Sequence, residues 1–210
     1  MNPFVMPSPT NPHFQNQRAR LRLLLPVLGL LAACGAQAPA EPPLAGASIG
    51  GDFALTGEDG DTVRWSDFAG QYRIVYFGFT YCPDICPTDV QRMTRGLARF
   101  AQDNPELAAR VQPLFISVDP ERDTPAVLRE FTDAFSPRLI GLTGTPDQIE
   151  QAAKSFAVYY SRGEEQAGGA YLMNHTNITY LFGPDGQPLA TLPTDQGAEA
   201  VAAELEKWVR

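Results

Sequence analysis

The sequence predicts an α/β domain in which helices cover a mixed β-sheet. Residues 74–79 and 111–118 form continuous apolar runs, which are typical of strands buried on both faces. Between these runs, apolar residues recur at helical spacing over residues 88–102. A strand, helix, strand unit of this kind joins two parallel strands through a right-handed crossover. We therefore expect residues 74–79 and 111–118 to be central neighbours in the sheet.

A short hairpin is predicted ahead of the first central strand. Residues 53–55 and 62–65 read as two short strands on either side of the segment Gly57-Glu58-Asp59-Gly60. Its Asp-Gly pair favours the positive φ angles that a tight hairpin turn requires. The hairpin is thus an N-terminal addition to the strand, helix, strand unit.

Two further helices are predicted from the residues at their N-termini. Thr124 can cap a helix whose first residue is Pro125, a position where the missing N–H has no partner to lose. Thr145 and Gln148 have the spacing of a capping box, in which each residue satisfies a backbone N–H of the other. We expect both helices to pack their apolar stripes on the sheet.

The remaining elements complete the fold. Strands are predicted at residues 158–161, 176–182 and 189–192, and an amphipathic helix at residues 198–209. The last two strands are joined by a Gly-Pro-Asp-Gly turn, so they form an antiparallel pair. The sheet is therefore predicted to be parallel first and antiparallel at its end. A thioredoxin-like fold, with a mixed central sheet flanked by helices and the added N-terminal hairpin, fits this order best.

Residues 1–33 have the order of a bacterial lipoprotein signal. Arg18, Arg20 and Arg22 precede an apolar run over residues 23–31, and Leu-Ala-Ala then leads to Cys34. The run has about half of the ~20 residues that a transmembrane helix needs, which disfavours a membrane-spanning anchor. Cleavage before Cys34 would leave its thiol for lipid attachment. The domain would then be anchored in the bacterial cell envelope, on the outer, periplasmic side of a membrane. An ordinary secretory leader followed by an unrelated cysteine is the alternative.

The composition after the signal predicts a tether and then a single domain. Residues 34–49 are rich in Ala and Pro, which is typical of a flexible linker, so the domain is expected at residues 50–210. The whole chain has a formal charge of −8. Residues 1–33 hold three of the 16 basic residues and none of the 24 acidic ones, so the charge of the remainder is −11. A domain with this charge would be repelled by nucleic acid, which we exclude as a partner.

Two cysteines four positions apart follow the first central strand. Cys82 is held away from helical angles by Pro83, and Pro87 predicts that the next helix begins after Cys86. The two thiols then lie at the carboxyl end of a parallel strand, where ligand sites tend to form. The N-terminus of the approaching helix favours thiolates. The spacing permits either a disulfide or a shared metal ion.

The chemistry of these groups narrows the choice of metal. His175 is the only histidine after residue 33, and it precedes a predicted strand. Two thiolates and one imidazole form a three-ligand set that suits Cu(I), whereas structural zinc and iron–sulfur clusters usually require four protein ligands. A disulfide is the common state of two cysteines in an exported protein, and a single histidine is often no ligand at all. Both interpretations stay open on spacing alone.

Four motifs together resemble the SCO/SenC family of copper-binding proteins. They are Phe77-Gly78-Phe79-Thr80-Tyr81-Cys82-Pro83-Asp84-Ile85-Cys86-Pro87, Phe115-Ile116-Ser117-Val118-Asp119-Pro120-Glu121-Arg122-Asp123-Thr124-Pro125, Leu142-Thr143-Gly144-Thr145, and His175 before a strand that ends in Gly183-Pro184-Asp185-Gly186. The match covers residues 50–210. It implies a thioredoxin fold that binds copper, as Cu(I) and also as Cu(II), through Cys82, Cys86 and His175.

The resemblance also implies a function and its partners. Members of the family deliver copper to the CuA centre of cytochrome c oxidase and take part in thiol reduction of the target site. The implied partners are the CuA-bearing subunit, a thiol reductant or another copper carrier, and the membrane through the lipid anchor. Asp119 is a candidate either for orienting the metal ligands without binding the metal itself or for docking a partner. It can equally be a residue that only shapes its loop.

Two other classes of function use the same residues. A thiol-disulfide oxidoreductase or peroxidase needs only the redox pair Cys82 and Cys86, although thioredoxin-like redox motifs typically have two intervening residues rather than three. A copper or redox sensor shares all three ligands and differs only in its partner. The resemblance favours a metallochaperone rather than an enzyme.

Overall fold

The structure is a computed structural model that describes residues 41–166 and 168–210. The predicted signal segment 1–33 and the lipidation candidate Cys34 lie outside these residues. No helix in the described part of the chain is both long enough and apolar enough to cross a membrane.

The described residues form nine strands and five α-helices. The strands are β1 (Ala54–Gly57), β2 (Thr62–Arg64), β3 (Tyr72–Gly78), β4 (Val111–Ser117), β5 (Ile140–Thr143), β6 (Tyr160–Arg162), β7 (Met173–His175), β8 (Thr179–Phe182) and β9 (Pro188–Leu192). The helices are α1 (Ile85–Asp103), α2 (Pro105–Ala109), α3 (Pro125–Asp133), α4 (Pro146–Ser155) and α5 (Ala198–Trp208). Short 3₁₀ turns occupy Trp65–Phe68 and Thr194–Gln196.

Seven of the strands form one mixed sheet in the order β2-β1-β5-β4-β3-β8-β9. Strands β3, β4 and β5 are parallel, while β8, β9, β1 and β2 join antiparallel to their neighbours. Strands β6 and β7 form a separate antiparallel hairpin. The predicted α/β class, with a mixed sheet between helices and an N-terminal hairpin, is confirmed.

The core explains why the two central apolar runs are continuous. Every residue of β3 is buried, and β4 is buried except for a partly exposed Gln112, because helices cover both faces of the sheet. On one face, Phe77 packs with Phe156 of the segment after α4. On the other face, Tyr76 stacks on Phe115 of β4. Burial of large aromatic side chains on both faces makes β3 the rigid centre from which the following loop projects.

Helix α1 begins earlier than the prolines predicted. It starts at Ile85, so that Cys86 and Pro87 lie in its first turn rather than before it. A proline is tolerated there because the first backbone N–H groups of a helix have no partner within the helix. The consequence is that Cys86 is a helical residue.

Part of the predicted linker belongs to the packed domain. Leu44 donates its backbone N–H to the carbonyl of Leu189 on β9 at 3.0 Å, and Gly50 donates to Ser155 at 2.9 Å. Leu44 and Ile49 also pack against the hydrophobic core. Residues 41–49 are therefore not a free tether, because a few apolar side chains in an Ala- and Pro-rich stretch are enough to hold it against the edge of the sheet. The rest of the predicted linker lies outside the described residues.

The end of α4 offers a test of backbone strain. Ala157 has a φ of 54°, and the N–H of Val158 closes the helix by donating to the carbonyl of Ala153 at 2.8 Å. Glycine is the preferred residue at such a left-handed helix end. We expect Ala157→Gly to raise the free energy of unfolding by about 0.5–1 kcal/mol, measured by urea denaturation.

The control for this prediction is another alanine at a helix end. Ala134 follows α3 with a right-handed φ of −65°, so Ala134→Gly relieves no strain and adds only freedom to the unfolded chain. It should lower the free energy of unfolding. Equal effects of the two substitutions would contradict the strain at Ala157.

Candidate metal centre

The cysteine loop, residues 79–84, connects the end of β3 to the start of α1. It lies beside the end of the parallel strand β4, since Gly78 pairs with Ser117 and accepts a hydrogen bond from Val118 at 2.8 Å. This is the carboxyl edge of the parallel strands, where the sequence placed the two thiols.

The two thiols are adjacent but differ in exposure. Both are free rather than joined in a disulfide, and Cys86 is fully buried whereas Cys82 is partly exposed. The backbone N–H of Cys86 donates to Sγ of Cys82 at 3.3 Å. This N–H is available because Cys86 lies in the first turn of α1. Cys82 thus receives a hydrogen bond at the end of a helix that favours negative charge.

His175 lies far from Cys86 in the sequence but contacts it in the structure. It ends β7, the second strand of the β6–β7 hairpin, and its Nε2 lies 3.3 Å from Sγ of Cys86. Its Nδ1 lies 3.1 Å from the carbonyl oxygen of Thr176, which can only accept a hydrogen bond. Nδ1 therefore carries the proton of the neutral ring, and Nε2 presents a lone pair to the thiol.

Burial sets the protonation of this pair. It raises the pKa of the Cys86 thiol, because the thiolate loses its solvation. It lowers the pKa of His175, because the imidazolium would be desolvated as well. At neutral pH the contact is therefore a thiol that donates to a neutral imidazole.

Two aromatic rings hold His175 in this orientation. The rings of Tyr76 and Phe79 meet the imidazole edge to face, with centroid distances of 6.2 and 5.9 Å. The hydroxyl of Tyr76 in turn donates to Asp89 of α1 at 3.3 Å. Tyr76 and Phe79 belong to an apolar run that the sequence identified only as a strand. They are three positions apart, so the two-residue alternation of a strand gave no signal that both would contact His175.

A cavity of about 350 Å³ opens above these groups. Cys82 and His175 both line it, together with Phe79, Pro83, Asp84, Ile85, Leu172, Met173, Asn174 and Asn177. Cys86 lies beneath it, in contact with His175. Among residues 41–166 and 168–210, no three His, Cys, Asp or Glu side chains already stand in an arrangement that could hold a metal ion. Cys86 and His175 are in contact, and Cys82 would have to turn toward them.

Asp119 does not reach the thiols or the imidazole. Its side chain is only 3% exposed; Oδ1 accepts a hydrogen bond from the Tyr171 hydroxyl at 2.9 Å, and Oδ2 accepts one from Nε of Arg122 at 2.5 Å. So deeply buried a carboxylate offers no surface to a docking partner. It instead connects the β4–α3 loop to the segment that leads to His175.

Asp123 is a buried residue of the site region that the sequence did not single out. Its carboxylate accepts hydrogen bonds from the N–H and the hydroxyl of Thr80, at 3.0 and 2.6 Å, and from the hydroxyl of Ser117 at 2.6 Å. Burial raises the pKa of Asp123. These bonds fasten the cysteine loop to the end of β4.

The family model described as SCO1/SenC matches residues 41–210. The human protein SCO1 homolog, mitochondrial, is 38% identical over 162 residues, which cover 77% of this chain and 53% of that protein. The chain thus spans about half the length of the first curated relatives that it matches.

Solved structures share the fold. The structure of Bradyrhizobium japonicum ScoI with copper bound is 36% identical, has a TM-score of 0.69, and is matched over 76% of this chain and 99% of that one. The structure of BsSco, described as a member of the Sco family of cytochrome c oxidase assembly proteins with a disulfide switch, is 26% identical with a TM-score of 0.59. It is matched over 81% of this chain and 97% of that one.

Proposed function

The chain belongs to the SCO1/SenC family, and we propose that it is a copper carrier that holds its cargo between Cys82, Cys86 and His175. The observation that carries the proposal is the 3.3 Å contact between Sγ of Cys86 and Nε2 of His175, which joins residues 89 positions apart. Two sulfurs and one imidazole nitrogen form a soft ligand set that suits Cu(I). The copper-bound relative with the same fold supports this choice.

Each side chain has its own part in loading. Cys82 faces the cavity and is the first sulfur ligand that an incoming copper ion would meet. The ion then displaces the proton of the Cys86 thiol and takes the lone pair of Nε2. The Thr176 carbonyl keeps the other ring nitrogen protonated and the ring correctly turned.

This order of loading predicts that copper affinity depends on pH. Because burial raises the pKa of Cys86, the empty site holds the thiol proton at neutral pH, and metal binding must release it. The lowered pKa of His175 means that the imidazole adds no second proton above about pH 6.5.

The affinity for Cu(I) should rise with pH by about tenfold per unit for each proton released. Competition with a Cu(I) chelator of known pH dependence measures this slope between about pH 6.5 and 8.5. An affinity that does not change with pH would show that copper binding does not release a proton from Cys86.

We further propose that the copper is passed to the CuA-bearing subunit of cytochrome c oxidase. The relative described as an oxidase assembly protein supports this partner. Transfer would proceed by ligand exchange, in which a thiolate of the partner takes the ion as Cys82 releases it. Of the two thiols, partly exposed Cys82 is the one that a partner can approach.

The test of the proposed function is a transfer experiment. The copper-loaded chain is mixed with the copper-free, reduced soluble domain of a CuA-bearing subunit, and the absorption of the CuA centre is followed. Copper should bind at one ion per chain, and the CuA absorption should appear. If the chain binds no copper, or if loaded chain and free copper fill the CuA centre equally fast, the carrier function is wrong.

A linked thiol-disulfide function is supported by a separate observation. Cys82 and Cys86 are adjacent, and of these two thiols only Cys82 is accessible. The Cys82 thiolate would attack a disulfide of the partner, and Cys86 would then release the partner as a dithiol. Two electrons pass to the partner while the Cys82–Cys86 disulfide forms. Reduction of an oxidised CuA-bearing domain, followed by thiol counting, tests this step; a Cys82→Ser variant should show none.

For its location, we propose that Cys34 carries a lipid and that the domain faces the periplasm. The order of basic, apolar and small residues before Cys34 supports this. A carrier in this place would act where an oxidase presents its CuA subunit outside the membrane.

A further inference from the structure

Arg122 contacts both of the segments that would bring ligands to copper. Its guanidinium lies 4.8 Å from the ring centre of Tyr81 and 6.0 Å from that of Phe79, both in the cysteine loop. It also lies 3.6 Å from the ring centre of Tyr171, which precedes β7. We propose that Arg122 is a positioning residue that fixes the cysteine loop and the β6–β7 hairpin, which carries His175, relative to each other. This inference rests on the copper site proposed above.

On the cysteine side, both contacts of Arg122 lie just before the first thiol in the chain. Tyr81 directly precedes Cys82 in the chain. The ring of Phe79 packs against Arg122 as well as against His175. A cation over an aromatic face is attracted by the negative face of the ring, and the attraction is stronger when the pair is desolvated. Arg122 therefore biases the loop toward the face where His175 lies.

On the histidine side, one residue receives three kinds of contact. Arg122 covers the ring of Tyr171 and donates through Nη1 to its backbone carbonyl at 3.0 Å. The Tyr171 hydroxyl donates to Asp119, which also accepts from Nε of Arg122. Tyr171 is thus held at its ring, its hydroxyl and its backbone, four residues before His175.

The backbone at Arg122 is held by hydrogen bonds. Its backbone N–H donates to the carbonyl of Asp119 at 3.2 Å, and that of Asp123 donates to the same carbonyl at 2.9 Å. The carboxylate of Asp123 is in turn bound to Thr80 and Ser117. The guanidinium therefore projects from a fixed turn of the β4–α3 loop, as a positioning group requires.

Arg162 provides a matched comparison on the same ring. Its guanidinium lies 3.7 Å from the ring centre of Tyr171, almost the same distance as that of Arg122. It pairs with Glu121 and Glu165 and is 47% exposed, whereas the Arg122 side chain is 21% exposed. Among the described contacts, Arg162 covers the ring of Tyr171 and no aromatic ring of the cysteine loop. It stacks on the tyrosine but does not bridge the two segments.

The experiment compares Arg122→Met, Arg122→Lys and Arg162→Met in the full chain. Cu(I) affinity is measured by chelator competition, and the Cu(II) complex is examined by EPR for nitrogen coupling from His175. Hydrogen exchange of the copper-free protein follows residues 79–84 and 173–178. Thermal unfolding identifies any variant that has lost its fold. Arg122→Lys keeps the charge and most of the stem, so it tests the planar fork if the methionine variant does not fold.

Both Arg122 variants should lose about 10- to 100-fold in Cu(I) affinity, as is common for groups that orient metal ligands. The nitrogen coupling should weaken toward that of His175→Ala, and exchange should speed up in both segments. Arg162→Met should match the wild type in all three. Wild-type affinity, spectrum and exchange in a folded Arg122 variant would overturn the inference. If even the wild type bound no copper, the proposed carrier function would be wrong. In that case hydrogen exchange of the copper-free proteins still tests the inference: unchanged exchange in the Arg122 variants would show that Arg122 does not position the two segments.

Discussion

Cys86→Ser is expected to lower the affinity of the chain for Cu(I) by at least about a thousandfold, roughly 4 kcal/mol. The substitution replaces a soft sulfur ligand by a hard oxygen that Cu(I) does not favour. It changes a single atom in the first turn of α1, where the serine hydroxyl can still donate to Nε2 of His175. The fold should therefore persist while the metal is lost. Anaerobic copper titration with chelator competition measures the effect.

The exposed cysteine supplies the comparison for this result. Cys82→Ser removes the ligand that lines the cavity and should also reduce affinity, without disturbing the buried contact between Cys86 and His175. Circular dichroism and thermal unfolding check that both variants are folded. A folded Cys86→Ser protein that binds Cu(I) as tightly as the wild type would remove Cys86 from the metal centre.

Asp123→Ala is expected to lower the free energy of unfolding by about 3–5 kcal/mol. The substitution leaves three donors without their acceptor, namely the N–H and hydroxyl of Thr80 and the hydroxyl of Ser117. Asp123 is fully buried, so water cannot replace the lost carboxylate without opening the loop. Urea denaturation measures the loss of stability, and Cu(I) affinity should fall as well, because Thr80 precedes the thiols in the cysteine loop.

Asp133→Ala is the matched control, since Asp133 is an exposed aspartate at the end of α3. Its substitution should change the free energy of unfolding by no more than about 0.5 kcal/mol. Similar effects of the two alanine substitutions would show that the Asp123 hydrogen bonds do not stabilise the loop.

The prediction from sequence was most accurate where a local pattern has one physical meaning. The two continuous apolar runs became β3 and β4, and Thr124 and Thr145 cap α3 and α4 through their side chains as expected. It was less accurate at element ends. The predicted strand at residues 176–182 is a strand only from Thr179, because the chain leaves the β6–β7 hairpin at His175 and enters the seven-stranded sheet at Thr179.

The surroundings of the site could not be predicted in the same way. Asp123 and Arg122 lie in a charged run that resembles an ordinary solvated loop, and Tyr171 lies in a segment with no regular pattern. Their importance comes from burial and from partners more than 40 positions away, such as Thr80 for Asp123 and Tyr171 for Arg122. A single sequence carries no local signal for such contacts.

The sequence by itself determined the α/β class, the two-cysteine loop at the end of a central strand, and the family to which the chain belongs, because these depend on residue types at short and regular spacing. Only the tertiary structure decided which thiol is buried, which imidazole nitrogen faces it, and which side chains hold the two segments together. Those properties depend on desolvation and on the meeting of segments far apart in the chain. Both arise only when the sheet, α1 and the β6–β7 hairpin have packed around the same site.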